Sequence, residues 1–179
     1  MRRDIKHIIK KDNLADILVK SVQFVKENWS MVQRIGIITL AVIVAAVLVI
    51  NHRQKVKLDV AQTLGQADGI FRMKSYYEAA TLYETAISKS SGHTKAYACC
   101  GLGNCRYYLK EYDAAVEAYR KCLQLNPDGL LPVVARAGIA ASYEDAGNSA
   151  EATTAYKEIA EKCPSPWSDM AKDKLEKMK

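Results

Sequence analysis

The sequence predicts an all-α chain: a basic tail, one membrane-crossing helix, and a short solenoid of helical hairpins closed by a capping helix. Three observations predict it. A sixteen-residue run from Ile35 to Ile50 carries no charge and no amide. From Lys57 onward, small residues and tyrosines recur with a period of about 34 residues, as stacked helical hairpins require. The excess positive charge is confined to the two flanks of the apolar run.

The charge division excludes one class of function. Residues 1–34 hold eight Lys/Arg against four acids, and residues 51–57 add Arg53, Lys55 and Lys57 with no acid. Residues 58–179 hold fifteen Lys/Arg against sixteen Asp/Glu, so the net charge of +6 belongs to the flanks. A nucleic-acid-binding domain carries its own basic face, and this one is close to neutral. No nucleic-acid partner is expected. Cations bracketing an apolar run suit membrane insertion and anionic headgroups instead.

The apolar run alone covers about 24 Å, short of the hydrocarbon core of a bilayer. Extended back to Trp29 it becomes a helix of about 33 Å, with Gln33 and Arg34 at the interface and Trp29 at aromatic-belt depth. Residues 29–51 are therefore the expected transmembrane helix, and membrane lipid is their expected partner. Residues 1–28 form the tail. Within it Leu14, Ile17, Leu18, Val22, Val25 and Trp29 recur at three- and four-residue steps, with Lys10, Lys11, Lys20 and Lys26 mostly off the stripe. This describes an amphipathic basic helix that either lies on the membrane surface or binds a partner. The tail's eight cations against three beyond the span favour a cytoplasmic N-terminus, with the C-terminal domain outside.

Residues 57–179 divide into hairpins at about 60–93, 96–129 and 133–166, then a capping helix at 166–178. The second is the most regular: Leu102, Gly103, Tyr112, Ala115, Tyr119 and Pro127. The third supplies Ile139, Ala140, Tyr143, Gly147, Ala152, Tyr156 and Pro164, and the first Ala67, Tyr76, Ala79, Tyr83 and Ala86. Small residues let antiparallel helices approach closely, and Tyr119 and Tyr156 fill the gap between one hairpin and the next. Lys110-Glu111 and Gly147-Asn148 mark the turns within hairpins, while Pro127 and Pro164 stop second helices. A terminal hairpin leaves an apolar face that needs a cap. Ser165-Pro166 starts one, whose stripe runs Trp167, Met170, Ala171, Lys174, Leu175 and Met178. No cap precedes the first hairpin, and Lys55-Val56-Lys57 holds no Gly or Pro. The membrane helix is expected to run almost directly into it, close to the bilayer.

These residues resemble the tetratricopeptide repeat (TPR), over about 105 residues. The resemblance implies that the first helices of successive hairpins line a groove for polypeptide. The groove positions are Leu64, Asp68, Phe71 and Arg72; then Tyr97, Cys100, Asn104, Tyr107 and Tyr108; then Val134, Ala137, Ala141, Glu144 and Asp145. Tyr97, Tyr107 and Tyr108 lie outside the packing signature, and tyrosine is a favoured interface anchor. The carboxylate clamp of chaperone-tail TPR adaptors would need Lys, Asn and Arg at Leu64, Asp68, Gly101, Val134 and Gly138, and it is missing. An aromatic groove with an acidic end suits extended or partly apolar polypeptide. The overall layout, with Val22-Gln23-Phe24-Val25-Lys26-Glu27-Asn28 ahead of the span, is similar to YfgM-type bacterial inner-membrane TPR proteins. That similarity implies a TPR domain in the periplasm, translocon, chaperone or client polypeptides as partners, and assistance to export or folding. The alternative is a scaffold subunit of a membrane-bound secretion, division or envelope-assembly complex.

No catalytic residue, metal site, cofactor or small-molecule substrate is expected. Cys99, Cys100, Cys105, Cys122 and Cys163 contain no CxxC pair and no histidine at ligand spacing. They read as compact core residues, and an odd, buried set favours a reducing compartment, against the orientation above. His7, His52 and His93 are scattered. Gly101-Leu102-Gly103 lies inside a helix with no Lys-Ser/Thr after it, so it is no phosphate loop.

Overall fold

A computed structural model describes residues 2–126 and 129–178. Among these there are eight helices and no strand: α1 (Arg2–Glu27), α2 (Trp29–Arg72), α3 (Tyr76–Lys89), α4 (Gly92–Tyr108), α5 (Tyr112–Leu125), α6 (Leu130–Asp145), α7 (Ser149–Lys162) and α8 (Trp167–Lys177). Pro127, expected to stop α5, lies outside the described residues. The chain divides into two compact units, Met1–Arg53 and Gln54–Lys179.

The first unit holds α1 and the beginning of α2. At their junction the backbone ladder passes through Asn28, whose N–H donates to the Phe24 carbonyl while its own carbonyl accepts from Val32, both at 3.0 Å. The α2 segment is long and apolar enough to cross a membrane. Its residues Ile37, Leu40, Val44 and Leu48 are all exposed. In α1 the expected stripe of Ile17, Leu18, Val22 and Val25 is exposed as well. Leu14, Lys10 and Lys11 lie outside the residues whose side chains are described.

The second unit is a TPR-like solenoid. The end of α2 pairs with α3, α4 with α5, α6 with α7, and α8 packs on α7. Three core clusters follow one another along it. The first joins Val60, Leu64 and Ala67 to Ala79, Tyr83, Ala86 and Ala98. The second joins Ala96, Cys99 and Cys100 to Ala115, Tyr119, Cys122, Ala135 and Ile139, and the third Val133 and Ala140 to Tyr156, Ile159, Cys163 and Ala171. Each is built on Ala and Cys, so backbones come close and few side chains fill the gap.

The three turns within hairpins close alike. An N–H five residues on reaches back in each: Ser75 to Ile70 (3.3 Å), Glu111 to Arg106 (2.9 Å) and Asn148 to Tyr143 (2.9 Å). The residue before each donor is left-handed, Lys74 at φ 64°, Lys110 at 63° and Gly147 at 79°. This is the usual satisfaction of a helix's last carbonyls. It fixes where the second helix of each hairpin starts.

The capping helix departs from its expected stripe at two positions. It begins at Trp167, with Pro166 as the residue before the first turn. Ala171 is buried and Trp167, Leu175 and Met178 pack on the third core, but Met170 is exposed and Ser168 is buried in its place. Lys174 bonds across to Glu144, and this accounts for a charge on an otherwise apolar face.

Candidate functional site: the face of the first helices

The positions on the first helices are organised by the tyrosine of the second helix in each hairpin. The Tyr83 ring lies against Gly101, where a Cβ would come within 2.5 Å of it. The Tyr119 ring lies between Gly103 and Gly138, and a Cβ on Gly138 would overlap it. Glycine is required at both because the ring occupies the volume that a side chain would take. The expectation that Tyr119 fills the gap between hairpins describes what is seen. The glycines that receive the rings of Tyr83 and Tyr119 from the preceding hairpin, Gly101 and Gly138, were not read from the sequence as packing positions. They sit two residues ahead of the small pair-forming positions Gly103 and Ala140, and that recurrence is the signal that could have found them.

Each of these rings carries its hydroxyl through to the first helices. Tyr83 donates to Asp68, Tyr119 to Asn104 at 2.7 Å, and Tyr156 to Glu144 at 2.5 Å. The next element then closes the same groups. Tyr97 on α4 donates to the other oxygen of Asp68 at 2.8 Å, and Lys174 on α8 bonds Glu144 at 2.7 Å. Tyr107 reaches from α4 to Asp145 on α6 at 2.5 Å. All three carboxylates are therefore held by donors of this chain.

The titration behaviour follows from those bonds. Burial, then the bond to Asp68, pushes the Tyr97 phenol up to about 12. For Tyr107 the bond to Asp145 comes first and burial second, again to about 12. Burial raises Tyr83, Tyr119 and Tyr156 further. The Glu144 carboxyl is lowered, first by Lys174 and then by Tyr156. At Tyr156 and Glu144, a phenol held neutral beside a carboxylate held ionised is a fixed hydrogen bond, not a proton relay.

Aromatic rings gather where the first helices end. Tyr76 and Tyr108 stack with centroids 4.7 Å apart and planes 11° off parallel. Phe71 lies 5.4 Å from Tyr76 and 5.7 Å from Tyr108, and Tyr107 sits edge-on to Tyr108 at 5.4 Å. Tyr108 is still 53% exposed and Tyr97 41% exposed.

The remaining groove positions are distributed as follows. Leu64 and Cys100 are buried in core clusters, and Val134, Ala137 and Ala141 are half-buried. Arg72 is exposed. Asp68, Phe71, Asn104, Tyr107 and Glu144 are half-buried, and Asp145 is exposed. The structure thus brings Asp68 and Tyr97 together, and Tyr107 and Asp145. It ties Asn104 and Glu144 to the rings beneath them. Among the described residues no group of three or more His, Cys, Asp or Glu could hold a metal ion.

Comparison with known proteins gives the fold and one repeat. Residues 96–128 match the tetratricopeptide repeat model, so a TPR repeat is present there. A stretch of 77 residues, 43% of this chain, is 36% identical to the Arabidopsis thaliana Protein CTR9 homolog. The match spans 7% of that protein's length. Among solved structures, the chain resembles the Yersinia enterocolitica type III secretion translocator chaperone SycD, with TM-score 0.56 and 21% identity over 66% of this chain and 90% of SycD. SycD in complex with a peptide of the translocator YopD gives TM-score 0.55 and 18% identity over 66% of this chain and 87% of that one. PcrH in complex with the chaperone-binding region of PopD gives 0.56 and 16%, over 66% and 89%. At these identities the likeness is one of fold.

Proposed function

We propose that the chain is a membrane-anchored, non-catalytic module whose TPR face binds extended or partly apolar polypeptide. One observation carries this reading: every carboxylate on the face is already bonded by tyrosine or lysine, while Tyr108, stacked on Tyr76, stays exposed. A face with its charges satisfied and its aromatic surface open offers area to apolar side chains, and aromatic residues dominate such contacts. The peptide complexes of SycD and PcrH add support, since proteins of this fold hold segments of partner proteins.

The anchor in this proposal is the segment 29–51, whose exposed apolar surface suits lipid. In this reading the N-terminus is cytoplasmic, a side supported by the basic tail, and the repeats work on the periplasmic side of a bacterial inner membrane in export or folding. An engineered surface cysteine in the repeats, labelled from outside intact cells, tests the side directly.

The binding reading is tested with the full-length chain in detergent. Tyr107→Ala with Tyr108→Ala removes the exposed ring and the half-buried one edge-on to it, and should abolish capture of unfolded client polypeptides. Retained client capture with loss of a stoichiometric partner would favour a scaffold subunit instead.

A further inference from the structure

A cleft of about 390 Å³ opens on the first hairpin, between α2 and the start of α4. Val60 and Leu64 form its buried floor, and the more open Val56 and Ala61 continue that apolar surface along α2. The rim is of another kind: Lys57 on α2, Lys89 at the end of α3, then Ser90, Ser91 and Thr94. Two of these groups are occupied within the fold. Lys89 pairs with Asp59 at 2.8 Å, and the Ser90 hydroxyl donates to the Ala86 carbonyl at 2.6 Å. Lys57, Ser91 and Thr94 are exposed, and among the described residues their side chains have no ion-pair or hydrogen-bond partner. Residues 51–57 bring no acid to this end of α2.

We propose that this cleft holds one anionic phospholipid from the leaflet on the side of the repeats, a site that rests on residues 29–51 being the membrane anchor. The phosphate sits on Lys57, Ser91 and Thr94, and the first part of an acyl chain covers Val56, Val60 and Ala61. Such a lipid ties the first hairpin to the bilayer at a second point besides the span.

Three features choose this occupant. An apolar floor beside an ammonium and two hydroxyls matches an acyl chain joined to a phosphate, which accepts from all three donors. Lys57 comes seven residues after Ile50, the end of the uncharged run. In a helix that is a rise of about 10 Å, at the outer edge of the headgroup layer, and a lysine reaches further along its own stem. The volume is at the lower end of small-ligand sites, room for a phosphate and a length of chain while the rest of the lipid stays in the bilayer. A free phosphate would leave the apolar floor uncovered, and a wholly apolar peptide segment would leave Lys57 unmatched.

The test is native mass spectrometry of the full-length chain in detergent, with phosphatidylglycerol or phosphatidylcholine added. One phosphatidylglycerol should be retained in preference to phosphatidylcholine, and excess inorganic phosphate should not displace it. Lys57→Ala removes a charge-assisted bond and should weaken retention about tenfold or more. Ala61→Trp, at an exposed position, fills the cleft without altering charge and should weaken retention as much, with the thermal midpoint of the repeats unchanged. Lys55→Ala removes a cation outside the cleft lining and should change little. Equal losses in Lys55→Ala and Lys57→Ala, or full retention in a folded Ala61→Trp, would mean diffuse attraction to the basic flank and overturn the proposal. Displacement by inorganic phosphate or by an unfolded client polypeptide overturns it as well. The surface variant Lys57→Ala decides if Ala61→Trp misfolds. A chain that carbonate releases from membranes refutes the anchor, whereas a carbonate-resistant chain with no preference for phosphatidylglycerol refutes this site alone.

Discussion

Apolar residues follow opposite rules in the two units. In the first, large aliphatic side chains lie exposed along α2, Ile37 at 69% and Leu40 at 62%. In the second, the buried positions are mostly alanine and cysteine, with the rings of Tyr83, Tyr119 and Tyr156 buried among them. A chain that used one recipe throughout would bury its largest aliphatics first, since each contributes about 1.5–3 kcal/mol when removed from water. The contrast teaches that the first unit leaves its large aliphatics on the surface of a helix long and apolar enough to cross a membrane. The second depends on close backbone approach plugged by single rings.

Substitutions can break either half of that comparison without the other. The largest effect should come from Tyr119→Ala, which empties the space between Gly103 and Gly138. Loss of a buried aromatic costs about 3–5 kcal/mol. Denaturant unfolding of the repeats should show it, with membrane retention unchanged. Leu40→Lys inverts the pattern: a charge at the centre of a span costs about 3 kcal/mol. Carbonate extraction should release more of this variant, while the thermal midpoint of the repeats stays put. An unchanged membrane fraction would count against the anchor.

Gly138→Val probes the same ring from the other side. Overpacking costs about 1–3 kcal/mol, and Gly36→Val, where an added Cβ meets nothing within 4 Å, should be neutral by comparison. Tyr119→Phe keeps the ring and removes only the bond to Asn104, worth about 1 kcal/mol. The smallest effect is on pH dependence. Tyr97 and Tyr107 hold their protons up to about 12 when folded, against about 10 for a free phenol. Their contribution is complete below about pH 10 and is lost as pH rises toward about 12. The Glu144 contribution has the opposite sign: its lowered carboxyl stabilises at neutral pH and the gain is lost as pH falls through the folded value.

Much of this was legible in the sequence because it rests on local residue size. Ala115 with Tyr119 and Ala152 with Tyr156 set the register of hairpins, and the uncharged run after Arg34 marks the segment long and apolar enough to cross a membrane. The destinations of the tyrosine hydroxyls were not legible. Tyr83 and Tyr119 reach residues fifteen positions back, Asp68 and Asn104, whereas Tyr156 reaches Glu144, twelve back, because Ala141 offers no acceptor. Lys174 was the odd residue of its stripe for the same reason: its partner Glu144 is 30 residues away. The positions offered for a partner's use are thus partly spent inside the fold, and only the exposed rings remain open.

The ring of Tyr119 belongs to one hairpin and its socket at Gly138 to the next, and Tyr83 with Gly101 repeats the arrangement one step earlier. In a linear array, stability is a sum of terms within units and terms between neighbours. Here the strongest wedges sit in the neighbour terms. A terminal hairpin that frayed would leave an open socket or a bare ring on the rest, so shedding one unit weakens what remains. Such an array melts as a single cooperative body, and its amides should exchange with solvent at one shared rate along α4, α5 and α6.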